Sequence, residues 1–261
     1  MQDGKSRREF LYAAGAAAVG IGVGGPILSA LARGAGGVPE RTGPRYALVV
    51  DLQKCRHEEG CRDCIDRCHE EHNVPDVRTG SGEVNAKEEV KWIWKEPFPN
   101  AFPDEESEYA AESQRGLSAI VLCNHCERPP CVRVCPTGAT FKRDDGIVMM
   151  DMHRCIGCRY CIVGCPYGSR SFNWSDPRKY LSKTNPGYPT RTKGVVEKCT
   201  LCDERLAKGL IPACVEACRE KALVFGDVRD PSSEVRQILN SRYTIRRRPA
   251  LGTQPHVFYV V

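Results

Sequence analysis

Apolar residues along the chain form short runs rather than long periodic stretches. Runs of strand type occur at 46–51, 118–122, 140–142, 147–150, 171–174, 194–198, 223–225 and 257–261. They favour short strands because most are rich in β-branched or aromatic residues. Asp230-Pro231-Ser232-Ser233-Glu234 predicts the start of a helix that runs to about Asn240, since Asp or Ser caps helices and Pro suits their first turn. The pattern therefore predicts an α+β protein built of small elements.

The amino-terminal residues have a different pattern from the rest. Ser6-Arg7-Arg8-Glu9-Phe10-Leu11 precedes an apolar, glycine-rich stretch that runs from Tyr12 to Leu31. Paired arginines before a mildly hydrophobic region are typical of a twin-arginine export signal, a route that carries folded proteins. A retained membrane anchor is the alternative, although glycines and Pro26 weaken a spanning helix. We predict that residues 1–32 are this signal or anchor and that the mature chain is extracytoplasmic, on the periplasmic face of the cytoplasmic membrane.

Composition narrows the class of protein further. The chain has 261 residues, of which 41% are hydrophobic and 27% charged, so it can bury a core. Its 38 Lys and Arg against 33 Asp and Glu are a mixed balance, which argues against a nucleic-acid partner. The sequence contains neither a nucleotide-binding fingerprint nor a candidate catalytic triad. Sixteen cysteines are too many for ordinary packing, so disulfides or metal must hold them.

The sixteen cysteines fall into four quartets. They are Cys55, Cys61, Cys64 and Cys68; Cys123, Cys126, Cys131 and Cys135; Cys155, Cys158, Cys161 and Cys165; and Cys199, Cys202, Cys214 and Cys218. The third quartet has the C-x2-C-x2-C-x3-C-P spacing of bacterial ferredoxins that hold [4Fe-4S] clusters. The second also ends in Cys-Pro, whereas the first and fourth are more widely spaced. Short helical turns are expected after the last cysteine of each quartet.

Zinc and disulfides are the alternatives to clusters. Zinc needs two cysteine pairs and has no use for the third closely spaced cysteine or the terminal proline. Cysteines so close in sequence form disulfides only with strain, and folding before export takes place in a reducing compartment. Some histidines lie near the quartets, and one of them could replace a ligand: His57, His69, His72, His125, His153 and His256. Sixteen thiols suffice for four [4Fe-4S] clusters, so we expect the histidines to be bystanders.

In two-cluster ferredoxins the fourth cysteine of each motif binds the other cluster. Applied here, this rule predicts four ligand sets. They are Cys123, Cys126, Cys131 with Cys165; Cys155, Cys158, Cys161 with Cys135; Cys55, Cys61, Cys64 with Cys218; and Cys199, Cys202, Cys214 with Cys68. The fold is then two ferredoxin-like dicluster units, one inserted in the other. The outer unit comprises residues 33–75 and 191–226, the inner unit residues 116–190, and a helix and tail follow at 227–261.

Residues 76–115 form a cysteine-free insertion with Lys91-Trp92-Ile93-Trp94 and Pro97-Phe98-Pro99. Aromatic residues anchor many interfaces, so this insertion either docks a partner or covers the clusters. Arginines near the motifs, such as Arg133, Arg159 and Arg170, either offset cluster charge or are ordinary surface residues.

These motifs resemble the four-cluster iron–sulfur subunits that accompany molybdopterin oxidoreductases and membrane quinone-reactive proteins. The resemblance covers nearly the whole mature chain. The stretches that carry it more narrowly are 121–137, 146–151, 155–161, 192–199, 91–98 and 243–246. In these stretches the chain resembles the DsrO-type subunits of DsrMKJOP complexes.

The resemblance implies an electron-transfer subunit without catalytic residues, in a membrane-bound complex that links quinone to dissimilatory sulfite reduction. Its implied partners are an integral membrane, quinone-interacting DsrP-like subunit, a c-type haem DsrJ-like subunit and other DsrMK-like subunits. The crossed ligand sets are also those expected in this family. The competing interpretation is the electron-transfer subunit of a molybdopterin oxidoreductase that acts on nitrogen, sulfur or arsenic oxyanions.

Overall fold

A computed structural model describes residues 43–55, 59–78, 81–105 and 118–261 of the chain. The predicted signal or anchor at residues 1–32 lies outside the described residues, as does His57. From Gly43 to Val261 the chain forms one unit. Within the described ranges, none of the helices has both the length and the apolar character needed to cross a bilayer.

Short strands make up small sheets. The strands are β1 (Tyr46–Asp51), β2 (Ile93–Pro97), β3 (Ser118–Leu122), β4 (Thr140–Lys142), β5 (Val148–Met150), β6 (Ser171–Phe172), β7 (Val196–Glu197), β8 (Leu223–Asp227), β9 (Thr244–Ile245) and β10 (Val257–Val260). The larger sheet has the order β8-β1-β10-β9, with β1 parallel to β10 and antiparallel to β8. Antiparallel pairs β2–β3, β4–β5 and β6–β7 form two-stranded ribbons.

β1 is buried on both faces, because alternate side chains of a strand point to opposite sides of its sheet. Leu48 and Val50 belong to the large core that contains β2 and β3. Ala47 and Val49 pack with Val235 in a separate core on the other face. The sheet thus carries the large core on one face and the carboxy-terminal helix on the other.

The helices are short and cluster around the cysteines. They are α1 (Asp63–Glu71), α2 (Phe98–Ala101), α3 (Pro130–Arg133), α4 (Tyr160–Val163), α5 (Asp203–Leu206), α6 (Ala213–Glu216) and α7 (Glu234–Ser241). The predicted placement of helical turns after the last cysteine of each quartet is wrong. α3, α4 and α6 each contain the third cysteine of a quartet and end before the fourth, and α1 contains Cys64 and Cys68.

The mixed α+β class is confirmed, while the nested pair of ferredoxin-like units stays a prediction. β1, β3 and β4 have the predicted bounds. The predicted strands at 171–174 and 194–198 are only two residues long in the structure, because β6 pairs with β7 only through Ser171–Glu197 and Phe172–Val196. α7 begins at Glu234 rather than at Asp230, because the Ser233 side chain caps it by accepting a hydrogen bond from the Arg236 N–H at 3.2 Å.

Part of the described insertion at 76–115 lies in the core, whereas residues 81–84, 86 and 87 are exposed. β2 within it pairs with β3, and its residues join the large core. The side chains of Trp92, Trp94 and Phe102 are only 1%, 8% and 1% exposed. These aromatic side chains are therefore not free to anchor a partner, while the interpretation that the insertion covers the clusters stays a prediction.

Candidate iron–sulfur centres

The cysteines converge in four groups. Group A is Cys55, Cys61, Cys64 and Cys218; group B is Cys68, Cys199, Cys202 and Cys214; group C is Cys123, Cys126, Cys131 and Cys165; group D is Cys135, Cys155, Cys158 and Cys161. The members of group A line one cavity, those of group C a second and those of group D a third. The structure thus brings together the predicted sets, while the role of these thiols as ligands stays a prediction.

Group B is recognised from the surroundings of Cys68. Burial raises the pKa of the Cys68 thiol well above its ordinary value, and the charges of Cys199, Cys214 and Cys202 raise it further. Those three residues belong to the fourth quartet, whereas Cys68 ends the first. The first and fourth quartets therefore exchange their last cysteines in space, as the second and third quartets do.

α1 supplies one cysteine to each of two groups. Cys64 and Cys68 are four residues apart on this helix, so they share a face. Cys64 lies near Cys55, Cys61 and Cys218, and Cys68 lies near the fourth quartet. One turn of helix therefore spaces groups A and B.

The loop between Cys155 and Cys158 of group D requires a glycine. Gly157 has φ of +70°, a left-handed conformation that glycine adopts without strain. A Cβ atom at this position would lie 2.4 Å from the carbonyl oxygen of Gly194. The close approach of these two backbones keeps Cys155 beside β7, whose Val196 N–H donates to Cys155 Sγ at 3.5 Å.

Backbone N–H groups point at sulfur atoms in several of the groups. Thr140 N–H donates to Cys135 Sγ at 3.4 Å, Ala213 N–H to Cys202 Sγ at 3.3 Å and Ala222 N–H to Cys218 Sγ at 3.3 Å. Such donors stabilise a thiolate and tune the potential of a cluster bound to it. The donor set therefore fits an anionic iron–sulfur centre.

Burial acts in the opposite direction on the free thiols. It raises the pKa of Cys64, Cys126 and Cys199 to about 12, with further contributions from neighbouring cysteines. Without metal, these thiols are therefore protonated at neutral pH. A metal centre must displace those protons before the thiolates can bind it.

Arg170 lies between groups C and D. Its side chain is buried, and Nη2 donates to Cys131 Sγ at 3.2 Å while Nη1 donates to Thr140 Oγ1 at 3.1 Å. Burial opposes the charge of this guanidinium, but Cys131, Cys161 and Cys123 outweigh it and raise the pKa of Arg170. Arg170 therefore offsets sulfur charge, whereas Arg133 and Arg159 are exposed.

A buried network not expected from the sequence surrounds group B. His72 Nδ1 donates to the Cys68 carbonyl oxygen at 2.8 Å and lies 3.7 Å from Cys68 Sγ, and Nε2 lies 2.9 Å from Glu204 Oε1. Behind it, Trp92 stacks on His72 with ring centroids 4.7 Å apart. His72 therefore holds the backbone of a cysteine, and it also lies within 4.8 Å of Cys202 Sγ and the Glu204 carboxylate, as in a cation site.

A fully buried ion pair holds this network in place. Arg191 Nη2 lies 2.6 Å from Glu197 Oε2, and both side chains are 0% exposed. Glu197 also accepts from Trp92 Nε1 at 2.8 Å and from Asn173 Nδ2 at 2.6 Å. Glu197 thus joins β7 to the insertion.

The carboxy-terminal segment covers group C. Thr253 hydrogen-bonds to Cys126 and to the Tyr167 hydroxyl, and its carbonyl oxygen accepts from the Arg128 N–H at 3.0 Å. Spacing identified the cysteines but not these partners, because no local motif marks Thr253, His72 or Glu197. For α1 the sequence does contain a signal, since the four-residue spacing of Cys64 and Cys68 indicates two cysteines on one face of a helix.

The groups follow one another in the order A, B, C, D. Cysteines of groups A and B and Cys123 of group C belong to the large core, whereas Cys131 of group C shares a second core with cysteines of group D. Within this arrangement, Cys64 lies near enough to Cys68 and Cys214 to raise their pKa values, which places A beside B. Cys123 raises the pKa of Cys199 and Cys131 that of Cys161 in the same way, which places B beside C and C beside D. Groups A and D are thus the two ends of a row.

Comparison with known proteins identifies the family. A 4Fe-4S dicluster domain matches residues 118–183 and 185–228. The chain is 43% identical to the Hdr-like menaquinol oxidoreductase iron-sulfur subunit 1 of Archaeoglobus fulgidus, over 97% of each protein. It is 36% identical to protein NrfC of Escherichia coli, over 98% of this chain and 95% of NrfC.

A further relative is the arsenate respiratory reductase iron-sulfur subunit ArrB of Shewanella sp., which is 37% identical over 83% of this chain and 96% of ArrB. These similarities agree with the resemblance to DsrO-like subunits. The relatives from Archaeoglobus fulgidus and Shewanella sp. are both named as iron–sulfur subunits. The chain therefore belongs to the family of 4Fe-4S electron-transfer subunits of oxidoreductase complexes.

Proposed function

We propose that the chain holds four [4Fe-4S] clusters, one on each of groups A to D, in two dicluster units of which one is inserted in the other. The observation that carries this proposal is the convergence of sixteen cysteines into four groups of four, each containing three cysteines of one quartet and the last of another. Backbone donors at sulfur and the buried guanidinium of Arg170 suit anionic centres.

When bound, a [4Fe-4S] cluster accepts and gives up single electrons at a potential that its surroundings set. The residues of this chain would bind the clusters, set the distances between them and shield them from water. The thiols hold the metal, and Trp92 and the large core exclude water from group B. Arg170 and the N–H donors supply positive charge and dipoles at sulfur. All sixteen cysteines belong to a group, so the groups provide full cysteine ligation rather than an open iron for substrate.

We further infer that the chain relays electrons in a membrane-bound, quinone-linked complex of dissimilatory sulfur metabolism, like DsrMKJOP. The relative from Archaeoglobus fulgidus supports this, because its name describes a subunit of a menaquinol oxidoreductase and it matches along almost its whole length. The partners would then be a DsrP-like membrane subunit, a DsrJ-like haem subunit and DsrMK-like subunits. The complex would lie on the periplasmic face of the membrane.

A second candidate is the electron-transfer subunit of a molybdopterin oxidoreductase. It is favoured by relatives named as subunits of arsenate and tetrathionate reductases, at 37% and 36% identity. Purification of the native complex separates the two functions. A multihaem c-type protein and a membrane quinone protein in the complex support the first, and a molybdopterin catalytic chain supports the second.

Iron analysis tests the number of clusters. Anaerobically purified protein should contain about sixteen irons per chain, four for each cluster. A Cys165→Ser variant should damage the cluster on group C and leave group D intact, and Cys135→Ser is the matched control that should do the reverse. Electron paramagnetic resonance of the reduced variants measures this. Loss of group D in Cys165→Ser protein would contradict the crossed assignment.

Export has its own test. Replacing both Arg7 and Arg8 by lysine should leave the protein in the cytoplasm, because the twin-arginine route reads the paired arginines. Fractionation of cells that express each form measures the location. Normal export of the double variant would contradict the signal assignment.

A further inference from the structure

Group D reaches the protein surface. Cys158 is exposed, and Cys135 and Cys155 are half-buried, whereas Cys161 is buried. In group B, Cys68, Cys199, Cys202 and Cys214 are all buried. Group D also stands at one end of the row. A partner that contacts the surface around Cys158 would therefore come close to an end of the row of groups.

Apolar side chains surround this opening. Ile156, Tyr160 and Val163 are 66%, 63% and 87% exposed, and Trp174 is 45% exposed. We define the Cys158 face as residues 156–163 together with Arg133 and Trp174. Exposed apolar side chains gathered in one region mark interaction sites in soluble proteins, and aromatic residues and arginine are enriched in the centres of interfaces.

Side-chain contacts show that the face is continuous. The Arg159 guanidinium lies 4.9 Å from the ring centre of Trp174. Val163 and Arg133 line one groove of about 520 Å³ together with Arg128 and Leu251. Val134 lies beside Gly164, because a Cβ atom on that glycine would be 3.1 Å from Val134 Cγ2. The apolar and basic side chains therefore share one surface.

Exposed arginines make this surface basic. They are Arg128, Arg133 and Arg159. The other basic residues of segments 128–143 and 152–175 add less, because Arg170 is buried and Lys142, Arg143 and Arg154 pair with Glu127, Asp145 and Asp151. At the other end of the row, the cavity of group A is lined by Glu59, Asp63 and Glu220 and by one cation, Arg219, which pairs with Asp63. The group D end is thus the more basic of the two.

We propose that the Cys158 face is the docking surface for a redox protein whose own contact surface is acidic at its rim and apolar at its centre. The inference rests on the proposed function, since it gives group D a cluster. Arg133 and Arg159 would steer the partner, and Tyr160 and Val163 would be buried against it. Arg159 already stacks on Trp174, so it is partly ordered before a partner arrives.

A redox protein fits this face better than the other possible occupants. Basic and aromatic residues also bind anionic lipid, but a lipid surface gives an exposed cluster ligand no electron partner. A second copy of this chain would bring one arginine-rich face against another, and like charges repel. An acidic redox protein satisfies the charge, the apolar centre and the exposed cysteine together.

Stopped-flow reduction by an acidic flavodoxin tests the proposal. Fully reduced flavodoxin gives up one electron, and the chain with its clusters accepts it, which is followed by bleaching of the cluster absorbance. We expect the second-order rate constant to fall as salt rises, because opposite charges attract. The Arg159→Glu variant should be about tenfold slower at low salt, because reversal of a rim charge changes the association rate.

Arg219→Glu is the matched control, because Arg219 also directly follows a cysteine, Cys218 of group A, at the other end of the row. It should change the rate less than twofold, a limit set by the loss of long-range attraction across the protein. Tyr160→Ser should slow the reaction while keeping its salt dependence, since it removes apolar contact but no charge. Equal rates for wild type and Arg159→Glu, or a larger effect in Arg219→Glu, would overturn the proposal.

Three further measurements separate the remaining outcomes. Dithionite should bleach wild type and variants to the same extent; a wild type that does not bleach contradicts the proposed function itself. Flotation with phosphatidylglycerol vesicles should recover neither form; recovery of wild type but not Arg159→Glu would assign the face to lipid and overturn the docking proposal. Sedimentation should give the same mass for both forms; a wild-type dimer that Arg159→Glu dissociates would assign the face to a second copy.

Discussion

Replacing Arg170 by glutamine should lower the reduction potentials of the clusters proposed on groups C and D. Nη2 of Arg170 lies 3.2 Å from Cys131 Sγ, and the charges of Cys131, Cys161 and Cys123 act on its guanidinium. A cation stabilises the more negative, reduced state of a cluster. Its removal therefore makes each added electron less favourable.

The size of the effect follows from Coulomb's law. A unit charge at this 3.2 Å separation interacts with about 5 kcal/mol at an effective dielectric constant of about 20. The added electron is spread over a cluster that extends away from this sulfur, so a smaller part, about 1–2 kcal/mol, should appear in the potential. At about 59 mV for each tenfold change in a one-electron equilibrium, and 1.4 kcal/mol per tenfold, this is a drop of roughly 40–85 mV.

Redox titration followed by electron paramagnetic resonance measures the four potentials separately. Arg170→Lys keeps the positive charge, so its cluster potentials should stay close to those of wild type. If the hydrogen bonds of Arg170 rather than its charge set the potentials, the Lys and Gln variants should show the same drop. Arg133→Gln is the control, since Arg133 is exposed. Unchanged potentials in Arg170→Gln protein that keeps its iron would refute this reasoning, as would an equal drop for groups A and B.

Two further predictions concern stability. Burial and the charge of Arg45 lower the pKa of His256 to about 3, so stability that His256 provides above its unfolded pKa of about 6.5 is lost as pH falls toward 3. The loss should reach about 1–2 kcal/mol by pH 5. Denaturant unfolding at pH 5 and pH 7.5 should therefore show a smaller change in the free energy of unfolding for His256→Phe protein than for wild type. An equal change in both proteins would contradict this prediction. Glu197→Gln should destabilise the protein by about 3–5 kcal/mol because it leaves the buried charge of Arg191 unpaired. Glu96→Gln, which alters a similar acceptor for Trp94 Nε1, should change the unfolding midpoint little, and equal effects of the two would show that the ion pair is not the cause.

Sequence patterns predicted the elements that have local signals and missed those that depend on distant partners. β1 and β3 are runs of apolar, β-branched residues, and their bounds agree with the structure. β9 is two residues long and exists because β10 lies beside it, which no local pattern reveals. β2 was not predicted because Trp94 and the neighbouring Trp92 suit both a partner surface and a buried strand, and only pairing with β3 decides between these.

The cysteine groups were predictable for a related reason. Spacing within a quartet limits which thiols can meet one metal centre, so the sets follow from the crossed-ligand rule. Spacing carries no information about what surrounds the sulfur atoms. The contacts of Arg170 with Cys131 and of Thr253 with Cys126 join residues far apart in sequence, so they required the fold.

The exchange of cysteines between the first and last quartets fixes the order in which the protein can be completed during synthesis. Every member of groups C and D has been synthesised once Cys165 has been added, but groups B and A are complete only when Cys214 and Cys218 follow. Until then, Cys68 lacks the other cysteines of group B. Bringing them together closes a long loop of chain, which costs conformational entropy. The carboxy-terminal strand β10 then pairs between β1 and β9. A nascent chain that ends before Val257 lacks this strand, and with it the strand that joins β1 to β9 in the larger sheet. The clusters proposed on groups A and B can therefore be assembled only after translation is nearly finished.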